Sequence, residues 1–179
     1  GEQVRKEVCE TGFGGVQVDL AGIDRSVLES RLKACLWGIF IGDAVAMPVH
    51  WYYNVADIET QYGWLKTSNP YVNPDARGSN KIMYNHWSIN KHSARDLIGF
   101  HINHGKQDVW AKAGAHFHET LQAGDNTLNA NCARVVLRSV VKNKDLVAKS
   151  VLDDYIKFMT TPGSHNDTYA EAFHRQFFT

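Results

Sequence analysis

The chain has 179 residues, enough for one domain with a core of its own and short for two. Its 19 basic residues balance 19 acidic ones, and no basic stripe marks a nucleic-acid surface. No continuous apolar run reaches the ~20 residues of a membrane span, residues 1–24 lack the apolar centre of a secretion signal, and Cys9, Cys35 and Cys132 are too few and too scattered for a disulfide framework or a zinc site, which points to a cytoplasmic or other reducing intracellular setting.

In chain order, residues 1–25 read as an arm, with a glycine-bearing stretch from Gly12 to Gly22, ahead of a domain over residues 26–179. Ser26 and Glu29 have the spacing of a capping box, and Leu28, Leu32, Leu36, Ile39 and Phe40 recur with helical period. The spacing predicts a central buried helix from Ser26 to Met47, ended by Pro48. Gly38 and Gly42 share one face of it and invite close packing. Asp43 stands inside this apolar run and His50 follows its stop. A buried carboxylate needs partners or a metal.

An aromatic loop, Trp51-Tyr52-Tyr53-Asn54, leads to a short helix from Val55 to Tyr62, capped by Asn54 and closed by Gly63. Residues 67–90 read as a long loop. His92, His101 and His104 follow without a carboxylate or cysteine at ligand spacing, so they read as core or surface histidines. Asp108 is placed to cap a helix from Val109 to Leu121, and a second helix is expected over Leu128 to Asn143. Asp145 would cap a third from Leu146 to Met159, broken by Thr161-Pro162-Gly163. A last helix is expected to open at Ser164-His165-Asn166-Asp167-Thr168. No β ladder is evident, and the class is all-α.

Gly124-Asp125-Asn126-Thr127 and Ser164-His165-Asn166-Asp167-Thr168 are two polar knots, each ahead of an apolar helix. Such residues cap helices, because their side-chain oxygens take up free backbone N–H groups. The same placement gathers oxygen ligands for a hard cation, or N–H donors for a phosphate. Both readings stay open on the residues alone.

Gly38-Ile39-Phe40-Ile41-Gly42-Asp43-Ala44-Val45-Ala46-Met47-Pro48 resembles the opening motif of the ADP-ribosylglycohydrolases, a family that includes dinitrogenase-reductase-activating glycohydrolases and some lens crystallins. Gly124 to Leu128 resembles its first metal knot, normally threonine-aspartate-aspartate-threonine, and Thr161 to Glu171 resembles a stretch of a divergent branch. The resemblance implies an orthogonal helical bundle with a dinuclear magnesium or manganese site. It implies release of ADP-ribose, or a related ribosyl group, from a modified protein or a small molecule. On that reading Asp125, Asn126 and Thr127 face the metal, Asp43 and His50 serve catalysis, and Ser164, His165, Asn166 and Asp167 hold substrate.

The departures are specific. His50 stands where the family has glutamate, Gly124 where it has threonine, and Asn126 where it has its second aspartate. Loss of carboxylates weakens a magnesium site. The family's remaining ligands lie in an aspartate-rich segment, so a C-terminal half or another subunit would complete the site. The alternative is a non-catalytic structural or interaction protein on the same scaffold.

Overall fold

A computed structural model describes residues 22–52, 54–63, 72–74, 102, 104–106, 109 and 116–178. The chain divides into two compact units, Gly1–Leu36 and Trp37–Thr179. The described elements are all helical: α1 (Arg25–Ala46), a 3-10 turn (Met47–Val49), α2 (Val55–Tyr62), α3 (Leu128–Asn143), α4 (Ala148–Thr160) and α5 (Ala172–Phe177).

Helix α1 begins differently from the capping-box reading. Asp24, not Ser26, is the cap: its Oδ1 accepts from the backbone N–H of Ser26 at 2.7 Å and from the Ser26 hydroxyl at 2.6 Å. These bonds hold the Asp24 carboxyl below its ordinary range. Glu29 instead pairs with Arg25 at 3.1 Å, one turn back. Nor is α1 a buried central helix. Leu32 is 55% exposed and Trp37 67% exposed, and burial begins only near its end, at Ala44, Met47 and Pro48. Among the described residues an added Cβ at Gly38 or Gly42 would meet nothing within 4 Å, so none of these packs closely on the two glycines. Helical period reveals an apolar side without saying what covers it.

A run count also underrates this stretch. Arg25–Val49 is long and apolar enough to cross a membrane by length and composition, because the average tolerates its scattered polar residues.

Helix α2 has the bounds read from sequence. Asn54 Oδ1 accepts from the Ala56 N–H at 3.1 Å, and Gly63 closes the helix at φ +64°. Helices α3 and α4 form an antiparallel hairpin. Ser139 and Ser150 meet at 3.2 Å beside the connection, and Cys132 meets Met159 at 3.9 Å towards the other end. The core of the second unit gathers Ile102, Phe117, Leu128, Met159, Tyr169 and Ala170.

Three further expectations are corrected. Residues 117–120 are turns, so no helix runs to Leu121, although Val109 is helical. Helix α4 starts at Ala148, with Asp145 spending its carboxylate on the Leu146 N–H at 2.7 Å. The last helix spans only Ala172–Phe177, because Asp167 and Thr168 are buried and turned to tertiary partners instead of capping it. Residues 12–21 of the glycine-bearing stretch, Cys9, His92, His101, Asp108 and most of the 67–90 loop lie outside the described residues.

Candidate functional site

The site is built on the first turn of α3. Thr127 is its N-cap, and the free N–H groups there attract two carboxylates from distant parts of the chain. Asp43 Oδ2 accepts from the Thr127 N–H at 2.8 Å, and Oδ1 from the Thr127 hydroxyl at 2.6 Å. Asp167 Oδ2 accepts from the Leu128 N–H at 2.7 Å. Asp43 and Asp167 therefore meet at the Thr127 end of α3.

Asn126 ties this turn to α1 and to the far side of α3. Its Nδ2 donates to the Phe40 carbonyl at 2.7 Å and to Asp43 Oδ2 at 3.0 Å. Its Oδ1 accepts from an Arg134 NH2 group at 2.7 Å. Arg134 also donates to Asn131 Oδ1 at 2.8 Å and lies over the Phe40 ring, 4.8 Å from its centre. Asp125 closes a tight turn, taking the Gln122 N–H on Oδ2 at 3.0 Å. Gly124 sits in that turn at φ +90°, a conformation that a β-branched residue avoids. The glycine that replaces the family's threonine is thus fitted to this turn.

A cavity of about 300 Å³ opens between the knots. Asp125, Asn126 and Arg134 line one side, and Ser164, His165 and Asn166 the other. The second wall is pinned by Asn166 Nδ2 donating to the Thr120 carbonyl at 2.6 Å, by the Thr120 hydroxyl donating to the Asn166 carbonyl, and by Lys106 donating to the His165 carbonyl at 3.1 Å. Two buried atoms on it, Ser164 Oγ and His165 Nδ1, have no hydrogen-bond partner. Burial, with the nearby Lys106 charge, pushes the His165 imidazole down to about 4, so it is neutral at pH 7.

Behind Asp167 runs a chain of histidines. The His118 backbone N–H donates to His116 Nδ1 at 3.0 Å, so His116 carries its proton on Nε2 and donates to the Pro48 carbonyl at 3.0 Å. Burial holds His116 at about 4. His118 Nδ1 donates to Asp167 Oδ1 at 2.8 Å, and its Nε2 shares a hydrogen bond with His50 Nδ1 at 2.9 Å. Burial and the neighbouring His118 lower the affinity of His50 for a proton. Burial opposes the Asp167 charge, but the His118 imidazole and three hydrogen bonds outweigh it and hold that carboxyl below its ordinary value.

His118 and Arg134 are absent from the sequence-based site. His118 lay in a stretch read as helix, where only its two-residue spacing from His116 hinted at shared surroundings. Arg134, two residues beyond Cys132 on an amphipathic helix, carried no local signal.

The expected two-metal cage is not supplied by these residues. Among the described residues no group of three or more His, Cys, Asp or Glu side chains could hold a metal ion. Asp125 is the carboxylate that lines the cavity, and the Asn126 amide oxygen is already taken by a guanidinium.

The architecture is that of an all-α protein with a small polar cavity against a helix start. The family model for ADP-ribosylglycohydrolase matches residues 24–177, and the chain belongs to that family. Comparison with curated proteins and with solved structures returned no match.

Proposed function

We propose that the chain is a glycohydrolase acting on an ADP-ribosyl or related ribosyl group, held in the cavity between the 124–127 and 164–168 knots. The observation that carries this reading is the cavity itself. Two knots far apart in sequence close one polar pocket, with Asp125, Asn126 and Arg134 on one side and Ser164, His165 and Asn166 on the other. The free lone pairs of Asp125 suit a sugar hydroxyl. Asp43 has both oxygens engaged on Thr127 and Asn126, so it holds the knot in shape. His50, joined through His118 to Asp167, is not among the residues that line the cavity and steadies the turn behind its wall.

Magnesium or manganese dependence would need carboxylates beyond Asp125. A second reading, a non-catalytic scaffold, is favoured by one observation: Arg134 occupies the amide oxygen of Asn126.

Release of ADP-ribose from a mono-ADP-ribosylated protein, followed by chromatography with and without divalent ions, tests the reading. Asp125→Asn is expected to lower the rate at least ~tenfold, as for loss of a charge-assisted hydrogen bond to the sugar. Absence of any release under both conditions supports the scaffold instead.

A further inference from the structure

We propose that His50 and His118 form an acid-operated clasp on the turn after α1: it stays shut with one added proton, and a second proton opens it and frees Trp51 from its packing. The clasp stands on its own geometry and needs no substrate in the cavity.

Three segments meet here, and they are joined twice. The first join is polar: His50 Nδ1 lies 2.9 Å from His118 Nε2, and His118 Nδ1 lies 2.8 Å from Asp167 Oδ1. The second is aromatic: Trp51 stacks on Phe117 with ring centres 5.0 Å apart and meets Tyr169 edge-on at 5.9 Å. Each ring stands one or two residues from a member of the polar chain, and Asp167 Oδ1 also accepts from the Tyr169 N–H at 3.1 Å. Trp51 sits at φ +68°, in the left-handed region that a bulky side chain avoids. Such a backbone persists only where its surroundings hold it, and switch regions are a common place for it. Here the clasp fixes the residue before Trp51 and the stack fixes its side chain.

The clasp counts protons because of how imidazoles bond. With both rings neutral, one hydrogen lies between His50 Nδ1 and His118 Nε2. A single added proton still leaves one of the facing nitrogens as donor and the other as acceptor, and the bond becomes charge-assisted beside the Asp167 carboxylate. With both rings cationic, two N–H groups face each other and neither accepts. The bond is lost and two like charges repel.

The surroundings favour the first proton and oppose the second. Asp167, bonded to His118, and Asp43, near His50, attract positive charge. Burial, and then the charge of His118, outweigh them at His50 and lower its affinity for a proton. His116, its ring centre 5.8 Å from that of His118, is held at about 4 by burial, and its backbone N–H is taken by the Glu119 carboxylate. Lys106 and His165 also feel the Asp167 charge. The second proton is therefore expected below the 6.5 of an exposed imidazole.

The test is NMR of the full chain, labelled with ring-nitrogen-labelled histidine and fluorotryptophan, from about pH 8 to about pH 5, where imidazoles titrate. Single substitutions assign the His50, His118 and Trp51 signals. The Trp51 signal is expected to hold through the first protonation of the pair and to shift with the second, while circular dichroism keeps its helical value. His50→Asn leaves a donor and an acceptor at the place of Nδ1 but takes no proton, so its Trp51 signal is expected to hold across the range. If His50→Asn does not fold, the order of events in the unaltered chain carries the test. A Trp51 shift at the first protonation, or no shift once both rings are cationic, overturns the proposal. So does a shift that coincides with loss of the helical signal, a shift at the same pH in His50→Asn, or a pair that takes no second proton before the chain unfolds.

Discussion

Asp43 and Thr127, from different helices, are joined twice: the Thr127 N–H lies 2.8 Å from one carboxylate oxygen and its hydroxyl 2.6 Å from the other. A carboxylate at a helix start gains both from charge-assisted hydrogen bonds and from the helix dipole.

Asp43→Asn keeps the shape, halves the acceptors and removes the charge. It is expected to cost about 1–3 kcal/mol in urea unfolding, the range for hydrogen bonds to charged groups. Asp125→Asn should cost far less, since an amide oxygen can still accept from Gln122. Equal losses for the two variants would refute the assignment of Asp43 as the main tie.

Gly42→Ala should stabilise the chain by about 0.5–1 kcal/mol, because Gly42 lies in an exposed helix interior with open space at its Cβ position. Gly42→Leu should likewise fit without overpacking. A fall in thermal midpoint for Gly42→Ala would show that something covers this face.

Restoring the family's knot should be harmful. Asn126→Asp removes both Nδ2 donations and sets a carboxylate against Asp43 and the Phe40 carbonyl. Gly124→Thr forces a β-branched residue to φ +90°. Each is expected to cost about 1–3 kcal/mol in denaturant unfolding. Tighter magnesium binding by Asn126→Asp at unchanged stability would contradict the packing described for Asn126.

The sequence displays what is local. The bounds of α2 and α3 follow from Asn54, Gly63 and Thr127, whose effects act within a turn of themselves. The two knots and Asp43 could be picked out as polar residues in apolar company. Their partners could not. Asp167 reads as a cap for its own segment but serves the start of α3, and Asp24 displaces Ser26 as cap of α1. Likewise, His118 and Arg134 gain their importance from residues 49 to 68 positions away, or from a ring on another helix.

Stability should fall on mild acidification. Burial holds His116, His165 and His174 at about 4 in the folded chain, against 6.5 when exposed. His174 is locked neutral by Tyr155, whose hydroxyl donates to Nδ1 at 2.7 Å, and by Asn129, which accepts from Nε2 at 3.2 Å. The unfolded chain thus binds more protons between these values. Stability is full above pH 6.5 and declines as pH falls towards 4, by at most about 1.4 kcal/mol per pH unit for each histidine. Asp167, held below 3.8, adds its loss only beneath that range. Unfolding free energies flat from pH 7 to pH 4.5 would contradict the buried neutral histidines.

The start of α3 also bears on the order in which the chain assembles. Its N–H groups are taken by residues 84 and 39 positions away, whereas the α3–α4 hairpin needs only neighbours. Contacts across short loops form first, and closures over long ones come late. The hairpin can therefore zip up early with a frayed leading turn. That turn becomes rigid only when Asp43 and Asp167 arrive from either side, so the cavity wall is the last part of this region to set, and its setting reports that both ends of the fold are in place.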